Sequence, residues 1–509
     1  MCGIVGVFGT PYSFQEVYQG LLLLQHRGQD AAGILSFDYD SKEFHHYKDL
    51  GLISDVFSPE ILAGFSGHMS IAHTRYSTIG PNESKQPKNQ IDKKRDIQPM
   101  MINYPFGIGM VHNGNIVNYY ELKKYLSEEK DRHLFTRNDL EALINLLSDG
   151  LSERSKTTFS FDQLQLSILN IFERARGGFS VLGLLADKGL FAFRDPHGLR
   201  PLILGERVLT EEEKVAHPKH FGKSYCLASE SNALNFLGYT PVRDLEPGEI
   251  LFISDMGEIY SSAIYSKLKK ITPKSCMFEW VYFANPESVL EERSVYSARL
   301  DFGKNLALEV QALIDSGVIA PDIVVPIPET SRVAAISLSE TLKIPYREVL
   351  IKNRYIQRSF ILNTPESRKR AVQLKLTAIA SEIEGKNILL LDDSIVRGTT
   401  SKRIIEMVKE AGAKEVYFAT TCPPIKFPCY YGVDFPDPKE LVASSRTIDE
   451  VAEYLGADKL IYLSEEATKK SIGIKGNGEN LCMACINGCY PVDVSSAKVF
   501  QDMRSFHRE

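Results

Sequence analysis

The stretch that most constrains this chain is Asn387-Ile-Leu-Leu-Leu-Asp-Asp-Ser-Ile-Val-Arg-Gly-Thr-Thr-Ser401. Its apolar run, Ile388 to Leu391, is short and continuous, the pattern of a strand buried in a parallel sheet. Two acids, Asp392 and Asp393, close the strand, and a loop with Ser394, Gly398, Thr399, Thr400 and Ser401 follows. Ile404, Ile405, Val408 and Ala411 then recur at helical spacing, and Gly412 is placed to end the helix. The unit is strand, acid pair, hydroxyl-rich loop, helix. A helix N-terminus flanked by hydroxyls is a ready phosphate site. Carboxylates at the same strand end can hold sugar hydroxyls and Mg²⁺. One ligand carries all three groups: a phosphorylated ribose with a second, activated phosphate. A solvated acid pair is the plain reading of Asp-Asp-Ser alone, but the full run is far more specific.

The run resembles the loop with which type I phosphoribosyltransferases bind 5-phosphoribosyl 1-pyrophosphate (PRPP). The resemblance implies PRPP contacts from Asp392, Asp393, Ser394, Arg397, Gly398, Thr399 and Thr400. Upstream, Pro326-Ile-Pro-Glu-Thr-Ser331 follows an apolar run and reads as a strand end, a Pro-stiffened loop and a helix start. By resemblance, Thr330 joins Asp392 and Asp393 at the Mg²⁺–substrate site. Lys352-Asn-Arg-Tyr355, Arg358-Ser-Phe360 and Arg368-Lys-Arg370 form basic clusters. A solvated surface and a bisphosphate contact explain them equally well. In the family this region is a mobile loop that folds over PRPP, with Lys352 as a contact, and its closure would exclude water.

The length of 509 residues suits about three units. At 43% hydrophobic and 24% charged the composition is that of a globular protein, and the net charge of −6, spread along the chain, argues against nucleic-acid binding. No uncharged apolar run approaches the ~18 residues of a membrane span, and Met-Cys-Gly-Ile-Val-Gly is not a signal peptide. The expectation is a cytoplasmic protein whose eight cysteines are catalytic, metal-binding or free rather than paired.

Removal of Met1 would leave Cys2 with a thiol nucleophile and an α-amino group titrating near ~7.7–8.0, able to act as local base. From Met-Cys alone, an incidental buried cysteine is the better reading. The context changes that: Gln25-His26-Arg27-Gly28-Gln29-Asp30, His73-Thr74-Arg75-Tyr76-Ser77-Thr78 and His112-Asn113-Gly114-Asn115 follow in order. This half resembles the N-terminal-nucleophile (class II) glutamine amidotransferases. The resemblance implies Cys2 as nucleophile, an oxyanion hole from Asn113 and Gly114, Arg75 on the glutamine carboxylate and Asp139 on its amino group. His26 and Arg27 are expected to be structural. The family's Ser-Asp-Thr-Glu is Asn138-Asp139-Leu140-Glu141 here, so the acids align and their neighbours differ. A polar insertion, 82–96, has no assigned role. From 161 to about 261 the chain reads as short strands with turns, and 276–284, alternating and aromatic, reads as another strand.

Both halves together resemble the glutamine PRPP amidotransferase family nearly end to end. The implied fold is an α+β N-terminal-nucleophile hydrolase-type αββα glutaminase domain at 2–261, a linker at 262–275, an α/β type I phosphoribosyltransferase domain at 276–465 and a C-terminal segment at 466–509. The implied reaction hydrolyses glutamine and transfers the ammonia to C1 of PRPP. Pyrophosphate leaves and 5-phosphoribosylamine forms, the first committed step of de novo purine synthesis. The resemblance further implies Mg²⁺, purine nucleotides as feedback inhibitors and a homo-oligomer, tetramer or dimer. The family's Ala-Arg-Pro-Asp-Ser is Ala284-Asn-Pro-Glu-Ser288 here, a departure of little chemical consequence.

The family's iron–sulfur subgroup places cluster ligands at Cys276, Cys429, Cys482 and Cys485. That set suits a [4Fe–4S] cluster with a structural role; a Cys₄ zinc site and incidental thiols are the rivals. Cys422 and Cys489 remain over. No ATP loop or isomerase domain favours other class II amidotransferases. A catalytically silent PRPP or nucleotide sensor is the alternative, opposed by the intact Cys2, Arg75, Asn113, Asp392 and Asp393.

Overall fold

A computed structural model describes residues 1–76, 94–154, 158–216, 222–353, 376–435, 437–476 and 478–497. Two antiparallel sheets build the first half. The first runs, edge to edge, Thr240–Asp244, Ile203–Val208, Lys223–Ala228, Gly3–Phe8, Met69–Arg75, Ala31–Asp38, Glu43–Leu50. The second runs Ile259–Ser262, Ile250–Ser254, Gly189–Arg194, Gly177–Leu185, Ile108–Ile116, Met100–Ile102. Alternate residues of both face each other across a buried layer that includes Ile4, Phe8, Leu35, Ile71, Leu182, Leu190 and Leu251. Ser13–Leu23 covers the outer face of the first sheet, and Tyr119–Glu129, Asp139–Arg154 and Phe161–Arg174 cover that of the second. This is the αββα arrangement.

The second half is a four-stranded parallel sheet, Ile323–Pro326, Asn387–Asp392, Glu415–Thr420, Lys459–Tyr462. Leu389 and Leu391 point into one core, Ile388 and Leu390 into another, as the pleat requires. Val295–Asp315 and Arg332–Leu342 pack on one face, Thr399–Glu410 and Ile448–Leu455 on the other. Asp392 is therefore at the carboxyl end of a central strand, where ligands of α/β sheets collect.

Two expected strand regions are helical. Residues 161–174 form a helix with a Ser160–Gln163 capping box, burying Leu164, Ile168, Ile171 and Phe172. Those positions lie on one helical stripe, which a search for alternation overlooks. In 276–284 only Ser275–Cys276 is a strand, paired in parallel with Leu481–Cys482. Glu279–Phe283 is a wide, π-type helical turn. The Arg299 side chain donates to the carbonyls of Trp280 (3.0 Å), Tyr282 (3.2 Å) and Ala284 (2.9 Å), giving these groups partners that no sheet supplies. Within 262–275, Ile264–Leu268 is a short helix, and the Ser266 hydroxyl and the Lys274 N–H bond the carbonyls of Pro196 and His197. Among the described residues, no helix is long and apolar enough to cross a membrane.

Candidate active sites

Cys2 immediately precedes the strand Gly3–Phe8, whose partner strand places Thr74 opposite Gly3 and His73 opposite Ile4. That register brings Cys2 to the Arg75–Tyr76 strand end. The Tyr76 N–H lies 3.5 Å from the Cys2 sulfur, and the thiol lies 3.9 Å from the Tyr76 carbonyl. Arg27 donates from Nε to the Cys2 carbonyl at 3.1 Å. It is wholly buried, held by Glu230 at 2.5 Å and by both oxygens of Glu279 at 3.0 Å. His26 Nε2 lies 2.8 Å from the same Glu230. Arg27 and His26 thus have the supporting place expected of them, while Glu230 and Glu279 were overlooked. A lone acid inside the aromatic run 276–284 was the available signal. Met1 is 1% exposed, and burial holds its amine well below the ordinary value.

Asn113 and Gly114 lie on Ile108–Ile116, opposite Ser180 and Phe179. Asn113 is 1% exposed, yet neither its amide oxygen nor its amide nitrogen has a protein hydrogen-bond partner. A buried amide left so costs about 1–3 kcal/mol, and an aimed donor awaiting a ligand is one reason a fold keeps it. Gly114 has φ +155°, and a Cβ there would sit 2.0 Å from the Gly178 carbonyl oxygen. Arg75 ends its strand half-buried, with its carbonyl taken by the Asp30 N–H at 3.1 Å.

Asp139 opens the helix Asp139–Arg154 and accepts the Ile116 N–H at 2.8 Å, with His112 Nε2 at 3.3 Å. Burial alone would raise this carboxyl, but His112 and the Ile116 N–H hold it below the usual range. Glu141 accepts the N–H groups of Phe135 and Thr136 and the Thr136 hydroxyl, so it braces a turn. Ser77 and Thr78, and 82–93 of the insertion, lie outside the described residues.

At the other site, Asp392 and Asp393 are half-buried neighbours. Asp392 accepts the Asp393 N–H at 2.9 Å, and the Ser394 hydroxyl donates to Asp393 at 2.7 Å. Thr420 and Thr421 hydroxyls bond the Asp393 carbonyl at 2.9 and 3.2 Å. Burial raises both carboxyls, and the charge of Asp393 raises Asp392 further. Gly398 takes φ +74° at the N-cap of Thr399–Glu410, leaving Thr399 and Thr400 exposed in its first turn. Thr330 is half-buried in the loop before Arg332–Leu342. Arg397 pairs with Glu440 at 2.8 Å, and Lys352 ends the strand Leu350–Lys352, exposed. The clusters 358–360 and 368–370 lie outside the described residues.

The turn Glu279–Phe283 stands between the sites. Phe283 meets the Tyr76 ring edge-on at 6.4 Å, and Arg299, which holds the turn, is favoured as a cation by the charges of Asp393 and Glu230. Burial draws Arg299 down to about 10.

Cys276, Cys429, Cys482 and Cys485 line one small cavity with Leu199, Arg200, Phe278 and Phe435. Burial pushes the Cys276 thiol up to about 11 and those of Cys482 and Cys485 higher still. Arg200 is wholly buried, and its Nη1 has no hydrogen-bond partner. Among the described residues, no three His, Cys, Asp or Glu side chains converge closely enough to hold a single metal ion.

Fold and sites define a glutamine amidotransferase joined to a phosphoribosyltransferase, a glutamine-dependent pentosyltransferase. A family model described as a glutamine amidotransferase domain matches 84–216, and one described as a phosphoribosyl transferase domain matches 305–456. The chain is 40% identical over 463 residues to the amidophosphoribosyltransferase of Pseudomonas aeruginosa, covering 91% of this chain and 87% of that one. It is 40% identical over 519 residues to that of Methanocaldococcus jannaschii, covering 98% and 99%. The solved glutamine PRPP amidotransferase from B. subtilis, complexed with ADP and GMP, superposes with a TM-score of 0.83 at 35% identity, covering 99% of this chain and 100% of that one. The chain belongs to the amidophosphoribosyltransferase family.

Proposed function

We propose that Cys2, freed by removal of Met1, attacks the glutamine side-chain amide, and that the ammonia released displaces pyrophosphate from C1 of PRPP at Asp392–Asp393. The product is 5-phosphoribosylamine, committing PRPP to purine synthesis. One observation carries the reading: the segment 279–284 meets Tyr76, the neighbour of Cys2, through Phe283, and is held by Arg299, whose charge acts on Asp393.

In the first half-reaction the Cys2 sulfur adds to the amide carbon, its proton passing to the freed α-amine and on to the amide nitrogen as the C–N bond breaks and ammonia leaves; water then cleaves the thioester to glutamate. The oxyanion is met by the Asn113 side-chain N–H and the Gly114 backbone N–H. Arg75 holds the substrate carboxylate and Asp139 its amino group; the Asp139 oxygens already paired to Ile116 and His112 keep it ionised. In the second, Ser394, Thr399 and Thr400 offer hydroxyls and free N–H groups to the 5-phosphate, and Asp392 and Asp393 face the ribose hydroxyls.

Asp392, Asp393 and Thr330 would hold Mg²⁺, and two adjacent half-buried carboxylates suit a hard divalent ion. Mg²⁺ supplies charge neutralisation on the departing pyrophosphate. Four soft sulfur donors in an apolar cavity beside the buried Arg200 guanidinium suit an anionic [4Fe–4S] centre better than incidental thiols. Its place is structural, tying 482–485 to 276 and 429. The chain is proposed to divide at 2–261, 276–465 and 466–509, to assemble as a homo-oligomer, to act in the cytoplasm and to be inhibited by purine nucleotides, as the B. subtilis complex with ADP and GMP suggests.

The deciding experiment is pyrophosphate release with glutamine plus PRPP and Mg²⁺. Release that requires all three is expected; a chain that binds PRPP without turning it over is the silent sensor instead.

A further inference from the structure

The loop bearing Cys429 is more than 300 residues from Asn113 in sequence, yet it rests on the strand that carries Asn113 and Gly114. The Asn115 side chain donates from Nδ2 to the Tyr430 carbonyl at 2.7 Å, with Asn115 itself buried. Arg200 donates to the next carbonyl, that of Tyr431, from Nε at 2.9 Å and again from Nη2. Then Gly432 lies against Gly114: a Cβ on Gly432 would meet the Gly114 carbonyl carbon and oxygen at 3.4 Å. On its opposite side Gly114 is crossed by Gly178, at whose carbonyl a Gly114 Cβ would collide. Gly178 in turn abuts Tyr431, whose Cβ would be 3.2 Å from a Cβ on Gly178. The Tyr431 hydroxyl anchors the loop from behind by donating to the Val492 carbonyl at 2.9 Å.

A glycine peptide turns over at little steric cost, because no Cβ opposes the rotation. A backbone N–H supplied by Gly114 therefore stays aimed only if its surroundings hold the peptide, and a donor turned away contributes nothing to the oxyanion. Here the surroundings are Gly178 from the same domain and 430–432 from the phosphoribosyltransferase half.

We propose that Asn115 and Gly432 are positioning residues for glutamine hydrolysis. Together they clamp the 113–115 segment so that its donors face the oxyanion, and the clamp belongs to the loop whose root is Cys429. This rests on the reading of Asn113 and Gly114 as the oxyanion hole. It places part of the glutaminase machinery in the other domain.

The test uses the full chain, with Asn115→Ala, Gly432→Ala and Asn113→Ala assayed side by side. For Asn115→Ala and Gly432→Ala, kcat for glutamine hydrolysis should fall by roughly tenfold to a hundredfold, less than the ~10²–10³ of a deleted donor. The KM for glutamine and ammonia-dependent use of PRPP should hold, while the midpoint falls modestly in both, through the φ of +108° at Gly432 and the Tyr430 carbonyl left without its donor. A merely structural role would lower the midpoint and both activities together, and that outcome overturns the proposal. So does unchanged glutaminase kcat in both variants while Asn113→Ala loses it. If Asn113→Ala itself keeps kcat, the oxyanion-hole reading has failed and the clamp has nothing to position. Should Gly432→Ala not fold, Asn115→Ala, which adds no bulk and leaves φ unstrained, still decides.

Discussion

Arg27 and Glu279 are 252 residues apart in sequence, yet one Arg27 nitrogen grips both Glu279 oxygens at 3.0 Å with both side chains buried. The same guanidinium holds the Cys2 carbonyl and Glu230. The Cys2 backbone is thus fixed in place through a charge 252 residues beyond Arg27. Removing one member of a buried pair costs about 3–5 kcal/mol, because the partner is left uncompensated. Glu279→Ala should lower the calorimetric midpoint and glutamine hydrolysis together. A midpoint equal to that of the parent protein would mean that the pair contributes nothing.

Cys2→Ala should lose glutamine-dependent synthesis by ~10³-fold or more and keep synthesis from ammonium salts at high pH, since the second site is untouched. Intact-mass measurement of the active parent protein should show a chain beginning at Cys2. Glutamine use by Cys2→Ala, or Met1 retained in active protein, would remove the thiol–amine pair from the mechanism.

The raised carboxyls of Asp392 and Asp393 give a prediction with a definite sign. Folded, ligand-free protein holds protons there that the unfolded chain has already lost. The stabilisation they give is complete below the unfolded pKa and vanishes as pH rises through the raised values. Asp392→Asn removes that repulsion. Near pH ~7.5 the ligand-free variant should melt above the parent, and the gap should close as pH falls through the raised range. Both glutamine- and ammonia-dependent PRPP turnover should nonetheless be lost. Retained turnover would take Asp392 out of the metal–ribose site.

Cys482→Ser should lose iron, sulfide and visible absorption in anaerobically purified protein, because Cys482 lines the shared cavity. Cys489→Ser should keep all three: Cys489 is exposed and outside that cavity. Zinc in place of iron and sulfide in the parent would select the tetrahedral Cys₄ alternative.

What the amino-acid order determined is local. The run Ile388–Leu391 with its two acids and glycine-led helix folds as read, because a buried strand, a strand-end acid pair and an αL N-cap are set by neighbours in the chain. The alternation of the first half specified strands that pair into two sheets. Periodicity misleads at 161–174, whose apolar stripe also resembles broken alternation, and at 276–284, where nearly every residue is buried whatever its face and Tyr282 alone is exposed. Only the tertiary structure decided the rest. Glu230, Glu279, Arg200 and Arg299 carry no motif; their meaning lies in partners up to 252 residues distant, and a buried charge is tolerated only where chain closure brings its counter-charge or carbonyls within hydrogen-bond reach. The meeting of Gly432 with Gly114 is of the same kind, a contact between two residues without side chains that composition cannot announce and packing alone creates.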